Sequence, residues 1–450
     1  MQDTICAIST PVAVGGVAVM RISGEQSLSI VNKIFSSKFK VDTIQPRHAY
    51  YGEIIDGDIT LDQVVVTYYA APKSFTGEDV VEISCHGSLY VQKRLLELLV
   101  EQGCCMAIAG EFTQRAFLNG KIDLSQAESV ADLIAAQSRM SHQLAMQGLK
   151  GGVSDVIKSL RERLLYFSSM LELELDFAEE DVEFADRQQF ADLLEEIDLK
   201  INQLLNSFAQ GNAIKNGIPV AIVGKPNVGK STLLNVLLRY DRAIISDIPG
   251  TTRDTIEDTF TLGGYTFRLI DTAGLRTTSD NVEQLGINRT YQSIKEADII
   301  LYVIDVASID NYQKDLDECL KDIDMSHKQI LVLANKTDLY QQSVNKQENV
   351  FFISAKCQQG IDAVEQKLEQ IAQSYSKDEG ILLSNLRHYQ ALQNANLALQ
   401  QAKETFSAGL SNDLIAVNIR EVLYHLGTII GEVSNEEILG NIFSRFCIGK

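Results

Sequence analysis

Gly224-Lys225-Pro226-Asn227-Val228-Gly229-Lys230-Ser231 decides how this chain is read. The spacing is GxxxxGK[ST], and its surroundings suit it. The apolar run Val220–Val223 predicts a strand entering the loop, and Thr232–Leu238 a helix leaving it. Glycines let successive backbone N–H groups turn toward phosphate oxygens, and a helix N-terminus adds its dipole. In that cradle Lys230 brings a charge to the β- and γ-phosphates, and the Ser231 hydroxyl is a Mg²⁺ ligand. Asn227, Val228, Gly229, Lys230, Ser231 and Thr232 are therefore candidate nucleotide-binding residues.

Downstream motifs choose the base. Asn335-Lys336-Thr337-Asp338 follows the strand predicted at Ile330–Ala334. The Asp338 carboxylate can accept from both N1 and N2 of guanine, a donor pair that adenine lacks, so GTP is selected over ATP. Ser354-Ala355-Lys356, after Val350–Ile353, completes the base pocket. Asp271-Thr272-Ala273-Gly274, after Phe267–Ile270, suits indirect Mg²⁺ contact and γ-phosphate sensing. The polar loop Ser246-Asp247-Ile248-Pro249-Gly250-Thr251-Thr252 is the candidate switch, with Thr252 a second hydroxyl ligand for Mg²⁺. These motifs resemble Ras-like, translation-factor-class GTPases. Such proteins often place a water-orienting Gln after DxxG. Leu275 stands there, so the catalytic group must come from elsewhere.

Working outward, strand–loop–helix alternation over 216–376 predicts an α/β domain. Residues 1–120 read as α+β, with strands at Gly16–Ile22, Val64–Tyr69 and Val80–Ser84 and a helix over Leu89–Val100. Helical periodicity fills 121 to about Phe208 and returns from Ile381. Ser125 with Glu128, and Ser434 with Glu437, are spaced as capping boxes. Gly211–Ile218 and Lys377-Asp378-Glu379-Gly380 read as linkers. The expected fold is multidomain: an α+β N-terminal domain (1–120) and an all-α domain (121–215 with 377–450) interrupted by an inserted Ras-like P-loop domain (216–376).

Composition narrows the function. The chain has 450 residues and a formal net charge of -20. That excludes a protein gripping nucleic acid along its whole length, which needs clustered cations. Residues 171–200 carry -10, half the total, and read as a solvated helical face or a docking surface for a basic partner. Seven cysteines without a CxxC pair fit a reducing cytoplasm. No apolar run approaches membrane-spanning length.

GTTRD at 250–254, DTAGLR at 271–276, Asp280-Asn281-Val282-Glu283-Gln284-Leu285-Gly286-Ile287, and FCIGK at 446–450 together resemble the MnmE (TrmE) family of tRNA modification GTPases. So do Phe75-Thr76-Gly77-Glu78-Asp79 and Gly110-Glu111-Phe112-Thr113-Gln114-Arg115-Ala116-Phe117-Leu118-Asn119, which match that family's N-terminal domain. The resemblance covers the whole chain. It implies a dimer whose G domains pair in the presence of potassium, held by Asn227, Ser246, Ile248 and Thr251. It implies Glu283 as the group that positions water, with Lys230 as its catalytic companion. It further implies a 5-formyl- or 5,10-methylene-tetrahydrofolate site at Arg21, Glu82, Lys121 and Lys450, near Cys447, a possible reactive thiol. The implied partners are the FAD-dependent protein MnmG and tRNA, the latter reached mainly through the complex.

Two other readings stay open on the residues. One is an Era- or Der-like ribosome-assembly GTPase, although residues 381–450 show no GxxG loop between strands. The other is a GTP-gated dimeric scaffold without folate chemistry.

Overall fold

The structure, a computed structural model, describes residues 3–37, 44–176, 186–239, 258–270, 291–310, 312–321, 323–340, 350–375, 380–434, 436–444 and 446–449. Its N-terminal part holds β1 (Ile5–Ile8), β2 (Gly15–Ser23), β3 (Phe35–Ser36), β4 (Ala49–Asp56), β5 (Ile59–Tyr69), β6 (Val80–Gly87) and β7 (Cys105–Met106). Among the described residues these form one sheet, ordered β3-β4-β5-β6-β2-β1-β7. Strand alternation sorts the faces. Met20 and Ile22 of β2, with Val81 and Ile83 of β6, turn into a core shared with Leu95, Leu98 and Leu99 of α2 (Leu89–Glu101) and Ile30 and Val31 of α1 (Ser27–Ile34). Arg21 and Glu82 lie between these inward residues, and they are cross-strand partners in the antiparallel β2–β6 register. α3 (Glu111–Leu118) closes a smaller cluster, placing Phe112 on Ile5, Ala7 and Ala107.

The helices α4 (Leu124–Ala135), α5 (Arg139–Leu149), α6 (Gly152–Asp176) and α7 (Arg187–Asn216) precede the inserted domain. Three follow it and are numbered after its own helices: α11 (Leu386–Ser407), α12 (Asn412–Ile430) and α13 (Glu436–Phe443). One core draws on both sides of the insertion, joining Leu164, Ile197, Leu399, Ile419 and Leu426. Chain segments far apart in sequence thus bury a single apolar stripe.

Two local expectations are corrected. α4 is not capped by Ser125 with Glu128. Asp123 is the N-cap and Gln126 closes the box, each side chain bonded to the other's backbone N–H at 2.9 and 3.0 Å. An aspartate caps as well as a serine, and Glu128 is drawn away to Arg387 and His388. The second correction concerns the linker at Gly211–Ile218. α7 runs through Gly211 to Asn216, so only Gly217 separates helix from strand. Gly211 is there for close approach: a Cβ would stand 2.3 Å from the Leu383 carbonyl oxygen. Of the remaining expectations, the side chain of Glu437 and residues 377–379 lie outside the described residues.

The inserted domain contains β8 (Ile218–Val223), α8 (Lys230–Arg239), β9 (Thr259–Leu262), β10 (Tyr265–Leu269), β11 (Ile299–Asp305), α9 (Tyr312–Leu320), β12 (Gln329–Asn335), β13 (Val350–Phe352) and α10 (Ile361–Ser374). The sheet runs β13-β12-β11-β8-β10-β9, parallel except for the β9–β10 hairpin. Residues 299–304 of β11 are all buried, as in a strand covered on both faces. In such sheets ligands gather at the carboxyl ends of the strands. Here β8, β12 and β13 end at the predicted nucleotide motifs.

The chain's end returns to its beginning. Gly110 N–H donates to the Cys447 carbonyl at 3.4 Å, and Ser9 Oγ donates to the Gly449 carbonyl at 3.1 Å. Phe443 and Phe446 pack with Leu124 and Ala127.

Candidate nucleotide site

The loop after β8 needs its glycines. Gly224 has φ 147°, and a Cβ there would lie 2.1 Å from the Val303 carbonyl oxygen of β11. Gly229 has φ 101°, and its Cβ would lie 2.2 Å from Asn335 Nδ2. Asn227 also adopts the left-handed region, with φ 59°, a conformation its short polar side chain tolerates better than most. Lys230 opens α8 and folds back over the loop, its ammonium donating to the Gly224 and Lys225 carbonyls at 2.7 Å each. Burial lowers its pKa. An anion placed there relieves the same penalty by pairing with the charge. Ser231 and Thr232 follow in the first helical turn, both exposed, where hydroxyls and backbone N–H groups meet the loop.

The base motif is tied to the phosphate loop by one side chain. Buried Asn335, at the end of β12, donates from Nδ2 to the Val228 carbonyl at 2.8 Å and accepts the Ala355 N–H at 2.9 Å. It thus locks three loops in register. Ser354 Oγ donates to Asp338 Oδ1 at 2.6 Å and accepts Cys357 N–H at 3.2 Å. That fixes the carboxylate expected to read guanine. Lys336, at φ 70°, reaches Asp305 Oδ2 at 2.8 Å. Burial pushes the Asp305 carboxyl up, but Lys336 and the Ala307 N–H outweigh it and hold it below the usual range. Sequence reading passed over Asp305. Its signal was a polar residue ending an unbroken apolar strand, at the same edge as the other motifs.

Ser246, Asp247, Ile248, Pro249, Gly250, Thr251, Thr252, Asp271, Thr272, Ala273, Gly274, Glu283 and Lys450 lie outside the described residues. Lys356 is described and stands beside the Ser354–Asp338 contact, in the turn closed by the Ser354–Gln359 bridge.

The N-terminal candidates divide. Arg21 and Glu82 meet, with Arg21 Nε and Nη2 donating to Glu82 Oε1 at 2.9 and 2.8 Å. The guanidinium also lies 5.4 Å from the Phe75 ring and 5.7 Å from the Phe112 ring. Lys121 is held apart, its Nζ donating to the Pro72 carbonyl at 2.9 Å. Around them, Glu78 joins Arg115 at 3.1 Å and Ser23 at 2.7 Å, anchoring the 75–79 turn on the sheet. Burial and nearby Glu82 raise the Tyr69 hydroxyl pKa. Cys447 is exposed, on the tail that lies along Gly110. Among the described residues no group of three or more His, Cys, Asp or Glu gathers as a metal centre, and no helix is long and apolar enough to cross a membrane.

A phosphate loop locked to a guanine-reading strand end, set within a helical bundle, defines the class: a P-loop GTPase with its G domain inserted. Comparison with known proteins makes it particular. The family model of the MnmE helical domain matches residues 124–447, and that of the GTP-binding protein TrmE N-terminus matches residues 4–121. A protein of Christiangramia forsetii named tRNA modification GTPase MnmE is 47% identical, with 100% of each chain covered. Its namesake in Flavobacterium johnsoniae is 49% identical, over 100% of this chain and 99% of the relative. A solved G domain, that of the T. maritima FeoB iron transporter, aligns with 36% of this chain and 99% of its own at 24% identity and TM-score 0.25. The chain belongs to the MnmE family of tRNA modification GTPases.

Proposed function

We propose that this chain is a potassium-dependent GTPase that hydrolyses GTP to GDP and phosphate. In this reading it works with the FAD-dependent protein MnmG. Together they add a carboxymethylaminomethyl or aminomethyl group to carbon 5 of the wobble uridine of certain tRNAs, drawing one carbon from a tetrahydrofolate. The domains divide as 1–120, 121–215 with 377–450, and 216–376, and the site of action is cytoplasmic. The observation that carries the nucleotide half is Asn335, which couples the base-reading strand to Val228 of the phosphate loop.

The residues suit hard cations. Ser231 and Thr252 offer hydroxyls for Mg²⁺, and Asn227, Ser246, Ile248 and Thr251 offer side-chain and backbone oxygens for K⁺, an all-oxygen donor set. Bound there, such ions neutralise charge that develops on the phosphates. Lys230 orients the β- and γ-phosphates, Asp338 holds the base, and Glu283 positions the attacking water through an intermediate. Asp271, Thr272, Ala273 and Gly274 sense the γ-phosphate alongside the 246–252 switch.

Two surface features support the rest. Val12, Val14, Val17, Leu89 and Tyr90 are exposed around the β1–β2 turn, and Gln92 of α2 donates to the Ala13 carbonyl at 3.1 Å, holding the two segments together. An apolar patch of this kind marks an interface, and a second copy of the chain is its occupant. Beside it, Arg21 with Glu82, and Lys121, supply the cation and acceptor needed by a folate. Lys450, which lies outside the described residues, is the remaining folate contact in this reading. tRNA is engaged mainly through the complex, because the chain's own charge is -20.

The test is mass analysis of wobble nucleosides from cells lacking this chain. Loss of the 5-substituted uridine is expected, and unchanged nucleosides overturn the reading. Calorimetry with 5-formyltetrahydrofolate separates the folate site from a plain GTP-gated scaffold. Heat of binding is expected, and its absence beside intact GTP binding favours the scaffold.

A further inference from the structure

Helix α4 touches both halves of the molecule. It begins just after Lys121, whose ammonium is held by Pro72. Asn119 pins the same stretch by donating to the Thr76 carbonyl at 2.8 Å. Its cap, Asp123, also accepts Ser154 Oγ at 2.9 Å and Lys158 Nζ at 2.8 Å. One turn in, Glu128 accepts Arg387 at 2.9 and 2.8 Å and meets His388 Nε2 at 2.7 Å. Arg387 and His388 lie in the first turn of α11, the first helix after the inserted domain. One turn further, Asp132 meets Lys215 Nζ at 2.7 Å. Lys215 is in the last turn of α7, immediately before the chain enters that domain.

The helix leading into the inserted domain and the first helix after it are therefore held by carboxylates at i and i+4 on one face of one helix. A third contact follows: Met140 N–H of α5 donates to the Gly264 carbonyl in the β9–β10 turn at 3.1 Å, and its side chain packs on the inserted domain's core. Between the two ion pairs lies a cavity of about 210 Å³ lined by Glu128, Asp132, Lys215, Asn216 and His388. The twelve residues of α4 span roughly 18 Å at 1.5 Å each.

We infer that α4 is the rod through which a nucleotide-dependent movement of the inserted domain reaches Lys121 and the 72–77 turn of the N-terminal domain. Asp132–Lys215 and Glu128–Arg387 are its two couplings. The inference rests on the reading of the inserted domain as the GTP-binding one. Linkage is reciprocal, so occupancy of the N-terminal site shifts nucleotide affinity through the same pairs.

Hydrogen exchange of the full chain, with and without a non-hydrolysable GTP analogue and Mg²⁺, tests this. In the wild type the analogue is expected to change exchange at residues 71–79 and 121–126 by about twofold or more. Lys215→Met is expected to bind the analogue with unchanged affinity and to lose that distant change. The charge-swapped pair Asp132→Lys with Lys215→Asp is expected to restore it, which a merely damaged fold would not do. Wild-type changes confined to the inserted domain, or full transmission in Lys215→Met, overturn the rod. Analogue affinity, measured alongside, tells the two failures apart: a wild type that does not bind overturns the nucleotide reading, and the rod with it.

Discussion

At the scale of single residues, the nucleotide site rests on backbone that few side chains tolerate. Gly229→Ala would set a methyl 2.2 Å from Asn335 Nδ2 at a φ of 101°. The clash falls on the side chain that ties β12 to the phosphate loop. We expect GTP affinity to fall more than about tenfold by calorimetry, an effect above roughly 1.4 kcal/mol, while the circular dichroism of the helical domain is unchanged. Wild-type affinity in that variant would show that the loop and Asn335 move apart freely. Hydrolysis makes a separate demand. Because Leu275 cannot orient water, Glu283→Ala is expected to abolish turnover while sparing GTP binding, measured by phosphate release beside calorimetry. Near-normal turnover would remove Glu283 from the mechanism. The base-reading motif was legible from residue type and spacing alone, since guanine recognition requires an acceptor pair at a strand end. Asn335 as the lock was not legible, because its partners, Val228 and Ala355, are set by tertiary packing.

At the scale of elements, α4 is where local rules and tertiary demands compete. Ser125 and Glu128 have capping-box spacing, yet Asp123 caps the helix and Glu128 is held between Arg387 and His388. Local spacing cannot show that an ion pair across 259 residues claims the carboxylate. The same blindness put a linker at Gly211, where the glycine lets α7 pass the Leu383 carbonyl. Long periodic helices were readable, as were strands such as β2, β5, β6, β8 and β12, while β1, β4 and β11 were passed over. The short edge strands β3 and β7 were not, because pairing rather than pattern defines them. Burial alone would raise the Glu128 carboxyl, but His388 and Arg387 outweigh it and hold it far below its ordinary value. A depressed folded pKa contributes stability that is present above the unfolded value, about 4.3, and lost as pH falls through the folded one. Asp132 acts in the opposite sense, since burial raises it despite Lys215. We expect Glu128→Gln to flatten the acid limb of the stability curve, followed by urea melts at stepped pH. Glu128→Ala, which leaves Arg387 only the Thr428 and Ile429 carbonyls, is expected to cost about 3 kcal/mol at neutral pH. An acid limb as steep in Glu128→Gln as in the wild type would place the acid sensitivity elsewhere.

At the scale of the whole molecule, the -20 charge becomes a question of where charge is already answered. Half of it lies in residues 171–200, and much of what is described there is paired within the bundle. Glu172 meets Arg420, Glu174 meets Arg187, Glu196 meets Arg163, and Glu195 and Asp198 share Lys403. Asp186 caps α7 and Asp192 accepts from Gln188. Glu172, Glu174, Glu195, Glu196 and Asp198 bridge helices, so a basic partner would compete with internal cations for them. Glu179, Glu180, Asp181 and Glu183, which lie outside the described residues, are where a docking role can be tested without disturbing those pairs. Long-range attraction between an acidic segment and a basic partner acts mainly on association rate and weakens with salt. Reversing all four to lysine should therefore slow association with the proposed partner, MnmG, by about tenfold or more at low salt, with the difference shrinking as salt rises. The melting temperature should stay put, because no described ion pair is lost. Reversing Glu195 and Asp198 should do the converse, lowering the melting temperature and leaving association largely intact. Surface plasmon resonance over a salt series, beside thermal melts of both variants, separates the two. Unchanged association in the quadruple variant at every salt would make the acidic run a solvated face of the bundle and move the docking site elsewhere.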